Sequence, residues 1–210
     1  MSLPSLDLLD RWTSLAGPDA AAVGAGIIAR YAEPHRRYHT RAHLSAVLTA
    51  VDELAAAAAD PDAVRYAAFF HDAIYAVDRA DNEERSADLG RDVLESLGAA
   101  PELVDEVVRL VVLTRGHDPE AGDTNGAVLC DADLAVLGGT REDYTAYAVA
   151  VRAEYAHVPD DLFRAGRAAV LRNLIRQPRL FRTDPAFDRY EQQARANLSA
   201  ELTDLTAVTG

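Results

Sequence analysis

The sequence predicts an all-α fold in which one core serves the whole chain of 210 residues. Apolar residues recur at helical spacing, as at Leu44, Val47, Leu48 and Val51, and no alternating apolar–polar run is long enough for a convincing strand. A chain of this length usually forms one domain with a substantial core. We therefore expect a single helical bundle over residues 1–210, in which segment 33–140 carries the motifs and helices in 141–205 complete the core.

Proline, glycine and capping residues place the helix boundaries. The predicted helices run from Leu6 to Leu15, from Gly17-Pro18 through Tyr31, from Thr40 to Leu54, from Asp60-Pro61 to His71, from Asp81 to Gly98, and from Pro101 to Thr114. A long loop is predicted from Asp118 to Gly126, because Asp, Gly, Pro and Asn dominate it. The apolar segment Val128–Leu134 follows, and then three helices containing Tyr144 to Tyr155, Leu162 to Ile175 and Pro185 to Leu205.

The charge balance excludes several classes of function. With 34 acidic and 21 basic residues, the chain carries a formal charge of −13, so its surface repels phosphate backbones and we expect no nucleic-acid partner. A small anionic substrate remains compatible, since a metal ion and a few arginines can reverse the sign inside one pocket. The chain has no lysine, which excludes a Walker-type phosphate loop and a Schiff-base lysine.

Redox and targeting signals are also sparse. Cys130 is the single cysteine, so disulfides within the chain and thiolate zinc sites are excluded. The segment Met1–Ser5 lacks the basic and apolar regions of a signal peptide, and no apolar run reaches the length of about 18 residues that spans a bilayer. We expect a cytoplasmic protein without a membrane partner.

A histidine and an aspartate, His71 and Asp72, directly follow the apolar run Tyr66–Phe70. A buried imidazole and carboxylate cost several kcal/mol unless they are paired or bind a metal. A hydrogen-bonded pair at a helix end would satisfy both groups, and so would a divalent cation. His43 and Asp133 also lie on, or at the end of, apolar helical segments, which favours the cation.

Two imidazoles and two carboxylates form a ligand set without thiolates. His43, His71, Asp72 and Asp133 would suit a divalent transition-metal ion, namely Mn, Fe, Co, Ni or Zn, and Mg²⁺ is also compatible. Such a set leaves coordination positions open for water and substrate. A metal-bound water loses a proton near neutral pH, and the same ion polarises a phosphoryl oxygen.

The order of these motifs resembles the HD-domain superfamily of metal-dependent phosphohydrolases, and in particular a bacterial group of predicted HD phosphohydrolases. The resemblance covers roughly Glu33 to Leu198. It rests on Tyr38-His39-Thr40-Arg41-Ala42-His43, His71-Asp72 and Asp131-Ala132-Asp133-Leu134, with support from Asp81-Asn82-Glu83-Glu84-Arg85-Ser86-Ala87, Glu154-Tyr155 and Gly166-Arg167.

The resemblance implies that His43, His71, Asp72 and Asp133 bind the metal. Asp133 is preferred over Asp131 because the family's ligand directly precedes the leucine, whereas Asp131 also suits an N-cap of that helix.

The resemblance also implies roles around the metal. His39 would protonate the leaving group or support a metal ligand, and Glu83 or Glu84 would orient or deprotonate the attacking water. The alternative for these two glutamates is a favourable interaction with the start of a helix. His117 would bind a second metal or a substrate phosphate, or else cap the end of a helix.

Arginines near the motifs are candidates for binding the substrate's charge, since guanidinium groups bind phosphate in a bidentate manner. Arg37 and Arg41 flank the first motif together with Arg36, and Arg167 and Arg115 are expected to approach it in space. The alternative is that most of them cover solvated helix faces.

The leading expectation is hydrolysis of a phosphoester of a nucleotide or another small phosphorylated metabolite by a metal-activated water. A di-iron oxygenase is the second enzyme class; its pattern has two additional histidines before the last aspartate, where this chain has only His117, although Glu83 could substitute as a ligand. A non-catalytic regulatory module with a structural metal is the third alternative. The tyrosine-rich C-terminal helices are compatible with a homodimer face and with completion of the core.

Overall fold

The computed structural model describes residues 8–207, and within this range the regular structure is entirely helical. Ten α-helices follow one another in the described range: α1 (Leu8–Ala16), α2 (Ala21–Arg30), α3 (Arg41–Leu54), α4 (Pro61–Phe70), α5 (Asn82–Ser96), α6 (Pro101–Leu113), α7 (Thr124–Leu134), α8 (Arg141–Glu154), α9 (Asp160–Arg176) and α10 (Asp184–Thr206). Short 3₁₀ segments lie at Pro18–Ala20, Ala55–Ala57 and Ala135–Gly138. The all-α prediction is confirmed.

Local signals account for several helix starts. The Asp60 carboxylate accepts hydrogen bonds from the backbone N–H groups of Asp62 and Ala63 at 3.1 and 3.0 Å, which caps α4 ahead of Pro61. Pro101 begins α6 in the same way. The first helix was predicted to start at Leu6, which lies outside the described residues.

The predicted loop from Asp118 to Gly126 ends earlier than expected. Helix α7 already begins at Thr124, because the Asp123 side chain accepts a hydrogen bond from the backbone N–H of Gly126 at 2.9 Å and caps the helix. The prediction extended the loop over Thr124, Asn125 and Gly126, and that was wrong.

A continuous apolar core reaches from α1 to α10. Its largest fully buried side chains include Trp12, Tyr31, Phe69, Phe70 and Phe181. Helix α4 contacts α1, α2, α3, α5, α6 and α7, so its C-terminal end lies in the interior. The residues that directly follow α4 are consequently held inside the bundle. None of the helices in the described range is both long and apolar enough to cross a membrane.

Trp12 supports the end of α4 from the N-terminal helices. Its ring meets the rings of Phe69 and Phe70 edge-on, with centroids 5.1 and 6.0 Å apart, and its Nε1 donates to the carbonyl of Ala20 at 2.9 Å. Gly24 of α2 lies directly against this indole, since a Cβ built there would be 2.1 Å from Trp12 Cδ1.

This close approach predicts opposite effects of two similar substitutions in α2. Gly24→Ala should destabilise the protein by about 1–3 kcal/mol, because the added methyl group forces Trp12 out of its packing. Gly26→Ala is the matched control: a Cβ there meets nothing within 4 Å, so the better helix propensity of alanine should stabilise by up to about 1 kcal/mol. Urea unfolding of both variants measures the difference, and equal stabilities would contradict this packing.

Candidate metal centre and the adjoining cavity

Three helices deliver the predicted ligands to one place. His43 lies in the first turn of α3, His71 caps the C-terminal end of α4 with Asp72 next to it, and Asp133 lies near the end of α7. Because α3, α4 and α7 pack against one another, the ends that carry these residues meet.

The polar atoms of these four side chains converge closely. The Nε2 atoms of His43 and His71 are 3.2 Å apart. Asp133 Oδ1 lies 3.2 Å from His43 Nε2 and 3.7 Å from His71 Nε2, and Asp72 Oδ2 lies 3.4 and 3.1 Å from the same two nitrogens. His43, His71 and Asp133 form a group that can hold a metal ion, and Asp72 adds an oxygen to it.

The tautomer of His71 suits a ligand role. Its Nδ1 donates to the carbonyl of Ala68 at 2.8 Å, which leaves the Nε2 lone pair directed at the cluster. Two imidazole nitrogens and two carboxylates without a thiolate match first-row divalent ions. The donor set therefore fits the divalent transition metal that the sequence predicts.

Without a metal, the same contacts require protons on the imidazoles. Burial lowers the pKa of His71, but the charge of Asp72 and the hydrogen bonds with Asp133 and Asp72 outweigh it and raise that pKa well above its usual value. Burial likewise opposes ionisation of Asp133, yet its bonds to His117, His43 and His71 hold its pKa well below the usual range. A proton and a metal ion therefore compete for this cluster.

The alternative interpretation of Asp131 was an N-cap of α7, but the structure does not place it there. It lies in the interior of that helix, fully buried, and its carboxylate accepts hydrogen bonds from the backbone N–H groups of Arg182 and Thr183, both at 2.7 Å. The carboxylate thus holds the segment before α10, and its oxygens are engaged away from the histidine cluster.

His117 joins the cluster through Asp133. Its Nε2 lies 2.7 Å from Asp133 Oδ2, on the carboxylate oxygen that does not face His43. Its φ of 50° is the one positive value for a non-glycine residue in the part of the chain that the structure describes. Its backbone N–H donates to the Leu113 carbonyl at 3.1 Å, so His117 both closes the end of α6 and supports Asp133. Positive-φ conformations of non-glycine residues concentrate at functional sites.

His39 is positioned by a buried carboxylate that the sequence did not single out as a site residue. Glu154 Oε1 accepts the backbone N–H groups of Arg37, Tyr38 and His39 at 2.7, 2.8 and 3.0 Å. Its Oε2 lies 2.7 Å from His39 Nδ1 and accepts the Tyr75 hydroxyl at 2.9 Å. In this arrangement His39 Nδ1 donates to Glu154, and His39 Nε2 is left to interact with a ligand in the adjoining cavity, which His39 lines.

The Glu154 carboxylate predicts a specific acid sensitivity. Burial disfavours its charge, but the bonds to His39 and to the backbone lower its pKa from 4.5 to about 2. The stabilisation is therefore complete above about pH 4.5 and is lost as the pH falls towards 2. The stability difference between wild type and Glu154→Gln should shrink over that interval, measured by thermal unfolding against pH. A difference that does not change between neutral pH and pH 2 would contradict this.

Two of the arginines proposed for substrate binding do not line the cavity that contains His39 and Asp133. Arg37 donates to the carbonyls of Pro34 and Arg36 and lines a separate groove beside His43. Arg41 donates to the carbonyl of Ile28 at 3.2 Å. Their guanidinium groups hold backbone carbonyls of the chain.

Arg36 has a structural role in the same region. It is buried and donates to the carbonyls of His39, Asp72 and Ala73 at 3.1, 2.8 and 3.2 Å. This arginine ties the His39 segment to the turn that carries Asp72. The relative position of the two motifs therefore depends on it.

The two glutamates at the start of α5 have different surroundings. Glu83 lines the cavity beside the cluster, whereas Glu84 forms an ion pair with Arg115. Arg167 lines the same cavity, but Glu201 accepts from its Nε and Nη2 at 2.8 and 2.9 Å. Of the two candidates for orienting water, Glu83 is the one placed in the cavity wall.

The cavity that adjoins the cluster has a volume of about 550 Å³. Its polar part contains the candidate site residues His39, Asp72, Glu83, His117 and Asp133. Tyr38, Tyr75 and Thr114 also line it, and the rest is formed by α8, α9 and the turn between them. This volume suits a small-molecule ligand. Comparisons with protein-family models, curated proteins and solved structures give no match to this chain.

Proposed function

We propose that the protein is a metal-dependent phosphohydrolase of the HD-domain type, which hydrolyses a phosphoester of a nucleotide or another small phosphorylated metabolite. The observation that carries the proposal is the convergence of His43, His71, Asp72 and Asp133 beside a ligand-sized cavity. A purely structural metal would need no such cavity. The cavity therefore favours an enzyme over a regulatory module.

The chain's own side chains fit the roles of this reaction. His43, His71, Asp72 and Asp133 would hold the ion, which when bound supplies an activated water and neutralises phosphoryl charge. His39 would donate a proton from Nε2 to the leaving oxygen, while the hydrogen bond between Nδ1 and Glu154 holds the ring in place. Glu83 would orient the attacking water from the cavity wall.

A di-iron oxygenase is the second candidate, favoured by the position of Asp133. One of its oxygens faces His43 and the other faces His117, so His117 and Asp133 would be able to hold a second ion beside the first. Iron at about two equivalents per chain, with oxygen consumption in place of phosphate release, would support this candidate over hydrolysis.

Substitution of His39 separates a catalytic metal from a structural one. The metal-free protein is loaded in turn with Mn, Fe, Co, Ni, Zn or Mg and tested for phosphate release from a panel of phosphoesters. We expect hydrolysis by the wild type and a loss of at least about 100-fold in kcat for His39→Ala, because general acid catalysis contributes this much. The metal content of the variant should be unchanged.

The control for that experiment is His157→Ala, which removes an exposed imidazole outside the cluster and outside the cavity wall. It should keep full activity. Release of no phosphate from any ester with any of the ions would contradict the proposed function, and an unchanged rate for His39→Ala would remove His39 from the mechanism.

A further inference from the structure

The cavity is divided into a polar part and an apolar part. Away from the histidine cluster its wall comes from α8, the following turn and α9, and apart from Gly166 and Arg167 its side chains there are aliphatic or aromatic: Tyr147, Val151, Tyr155, Val158, Leu162, Phe163 and Val170. Leu162 and Val170 are 61 and 49 % exposed, so apolar surface beside the polar cluster faces water. Exposed apolar surface that continues into a polar site is typical of a ligand-binding wall.

No free guanidinium group lines this cavity within the described residues. Arg167 is the one arginine in its wall, and its side chain is 9 % exposed. Its Nε and Nη2 donate to Glu201, and its Nη1 donates to the Tyr147 hydroxyl at 3.0 Å. The charge of Arg167 is thus already balanced by Glu201, and its bidentate donors are occupied.

Apart from the histidines, the other ionisable groups in the wall that carry charge are acidic. Asp72, Asp133 and Glu83 line the cavity, so its field favours a bound cation and opposes further anionic groups of a substrate. One phosphate can be accommodated beside a metal ion. A second or third phosphate would meet carboxylates and no available arginine.

Gly166 keeps the apolar part wide. It lies in the middle of α9 and lines the cavity, yet a Cβ built there would meet nothing within 4 Å. Glycine weakens a helix relative to alanine, so helix formation and packing within the chain do not account for it. Its absent side chain leaves space between α8 and α9.

From these features we propose that the substrate is a phosphomonoester with a single phosphate, whose organic part is uncharged and mainly apolar or aromatic and lies between α8 and α9. This inference rests on the proposed function and narrows it. It disfavours nucleoside triphosphates, which carry additional charge, and sugar phosphates, whose hydroxyl groups find few polar partners on this wall.

Binding of non-hydrolysable phosphonates tests the inference without relying on turnover. Methyl-, butyl-, hexyl- and benzylphosphonate carry the same charged group, and calorimetry of the metal-loaded protein gives their affinities, with inorganic triphosphate and glycerol phosphate for comparison. Each buried methylene is worth roughly fourfold in affinity. We expect hexylphosphonate to bind at least about tenfold more tightly than methylphosphonate, since part of its chain remains in water.

Two variants in α9 test where the organic part binds. Gly166→Leu fills the space between the helices and should reduce the preference for hexylphosphonate to less than about threefold, while methylphosphonate binds as in the wild type. Leu162→Gln should also reduce the preference for hexylphosphonate over methylphosphonate, because it replaces an apolar side chain of the wall with a polar one. Val149→Gln is the matched control, because Val149 is 65 % exposed on α8 but does not line this cavity, and it should behave as the wild type.

The outcomes separate the inference from the proposed function. Equal affinities along the phosphonate series, or tighter binding of triphosphate than of hexylphosphonate, would overturn the inference and leave the phosphohydrolase proposal standing. If the protein binds metal but none of the phosphonates and phosphates, the proposed function fails and the inference falls with it.

Discussion

Asp133→Ala should weaken metal binding by more than about 100-fold and abolish phosphoester hydrolysis, because even groups that only support a ligand contribute 10- to 100-fold to metal affinity. Each carboxylate oxygen of Asp133 contacts a different imidazole. Oδ1 lies 3.2 Å from His43 Nε2, and Oδ2 lies 2.7 Å from His117 Nε2. Its removal would leave Asp72 as the one carboxylate in contact with the paired imidazoles, among the described residues. Elemental analysis and metal titration measure the effect.

The neighbouring acid provides the matched control for Asp133. Asp131→Asn removes a charge two residues away on the same helix, but this carboxylate bonds to the backbone of Arg182 and Thr183. We expect this variant to lose stability by about 1–3 kcal/mol and to keep its metal. Loss of metal from Asp131→Asn, together with full metal content in Asp133→Ala, would assign the ligand to Asp131 and contradict the structure.

Glu154→Ala should destabilise the fold by about 3 kcal/mol or more. The substitution leaves the backbone N–H groups of Arg37, Tyr38 and His39 and the Tyr75 hydroxyl without their acceptor, and each such buried group costs about 1–3 kcal/mol. Urea unfolding measures this loss. A variant as stable as the wild type would show that the segment around His39 does not depend on Glu154.

Glu154→Gln tests the charge of this residue apart from its hydrogen bonds to the backbone. The amide oxygen can still accept the backbone N–H groups, but it no longer offers a negative charge to His39 Nδ1. We expect kcat for phosphoester hydrolysis to fall about 100-fold with KM and the metal content unchanged, because the His39 ring loses the acceptor that orients it. A wild-type kcat would exclude the proposed role of Glu154 in orienting His39.

The helices could be predicted from the sequence because their boundaries carry local signals. Asp60-Pro61 begins α4 and Pro101 begins α6, and both signals act within a few residues of the boundary. The early start of α7 at Thr124 was missed because Asp123 lies in a segment rich in loop-forming residues, where a capping aspartate resembles a turn aspartate.

The convergence of the cluster could also be predicted, because its residues stand out against apolar segments and match the order of a family motif. His43, His71, Asp72 and Asp133 each lie on or beside an apolar segment, and the structure brings all four together. The superfamily, the identity of the metal and the substrate stay predictions.

Residues whose role depends on distant partners could not be predicted. Glu154 is one acid among 34 in the sequence, and its hydrogen-bond partners in the Arg37 segment lie more than 100 residues away along the chain. Arg167 was proposed as a substrate ligand, but its donors meet Glu201 on a different helix. Nothing in the local sequence distinguishes such an arginine from one that is free to bind phosphate.

Elemental analysis of the wild-type protein, purified without a chelator and without nickel affinity resin, tests the central claim most directly. Our account predicts about one equivalent of Mn, Fe, Co, Ni or Zn per chain, either as purified or after loading, and its loss in His71→Ala. Absence of bound metal under every loading condition would contradict the account, and His71 and Asp72 would then be a hydrogen-bonded pair inside the bundle.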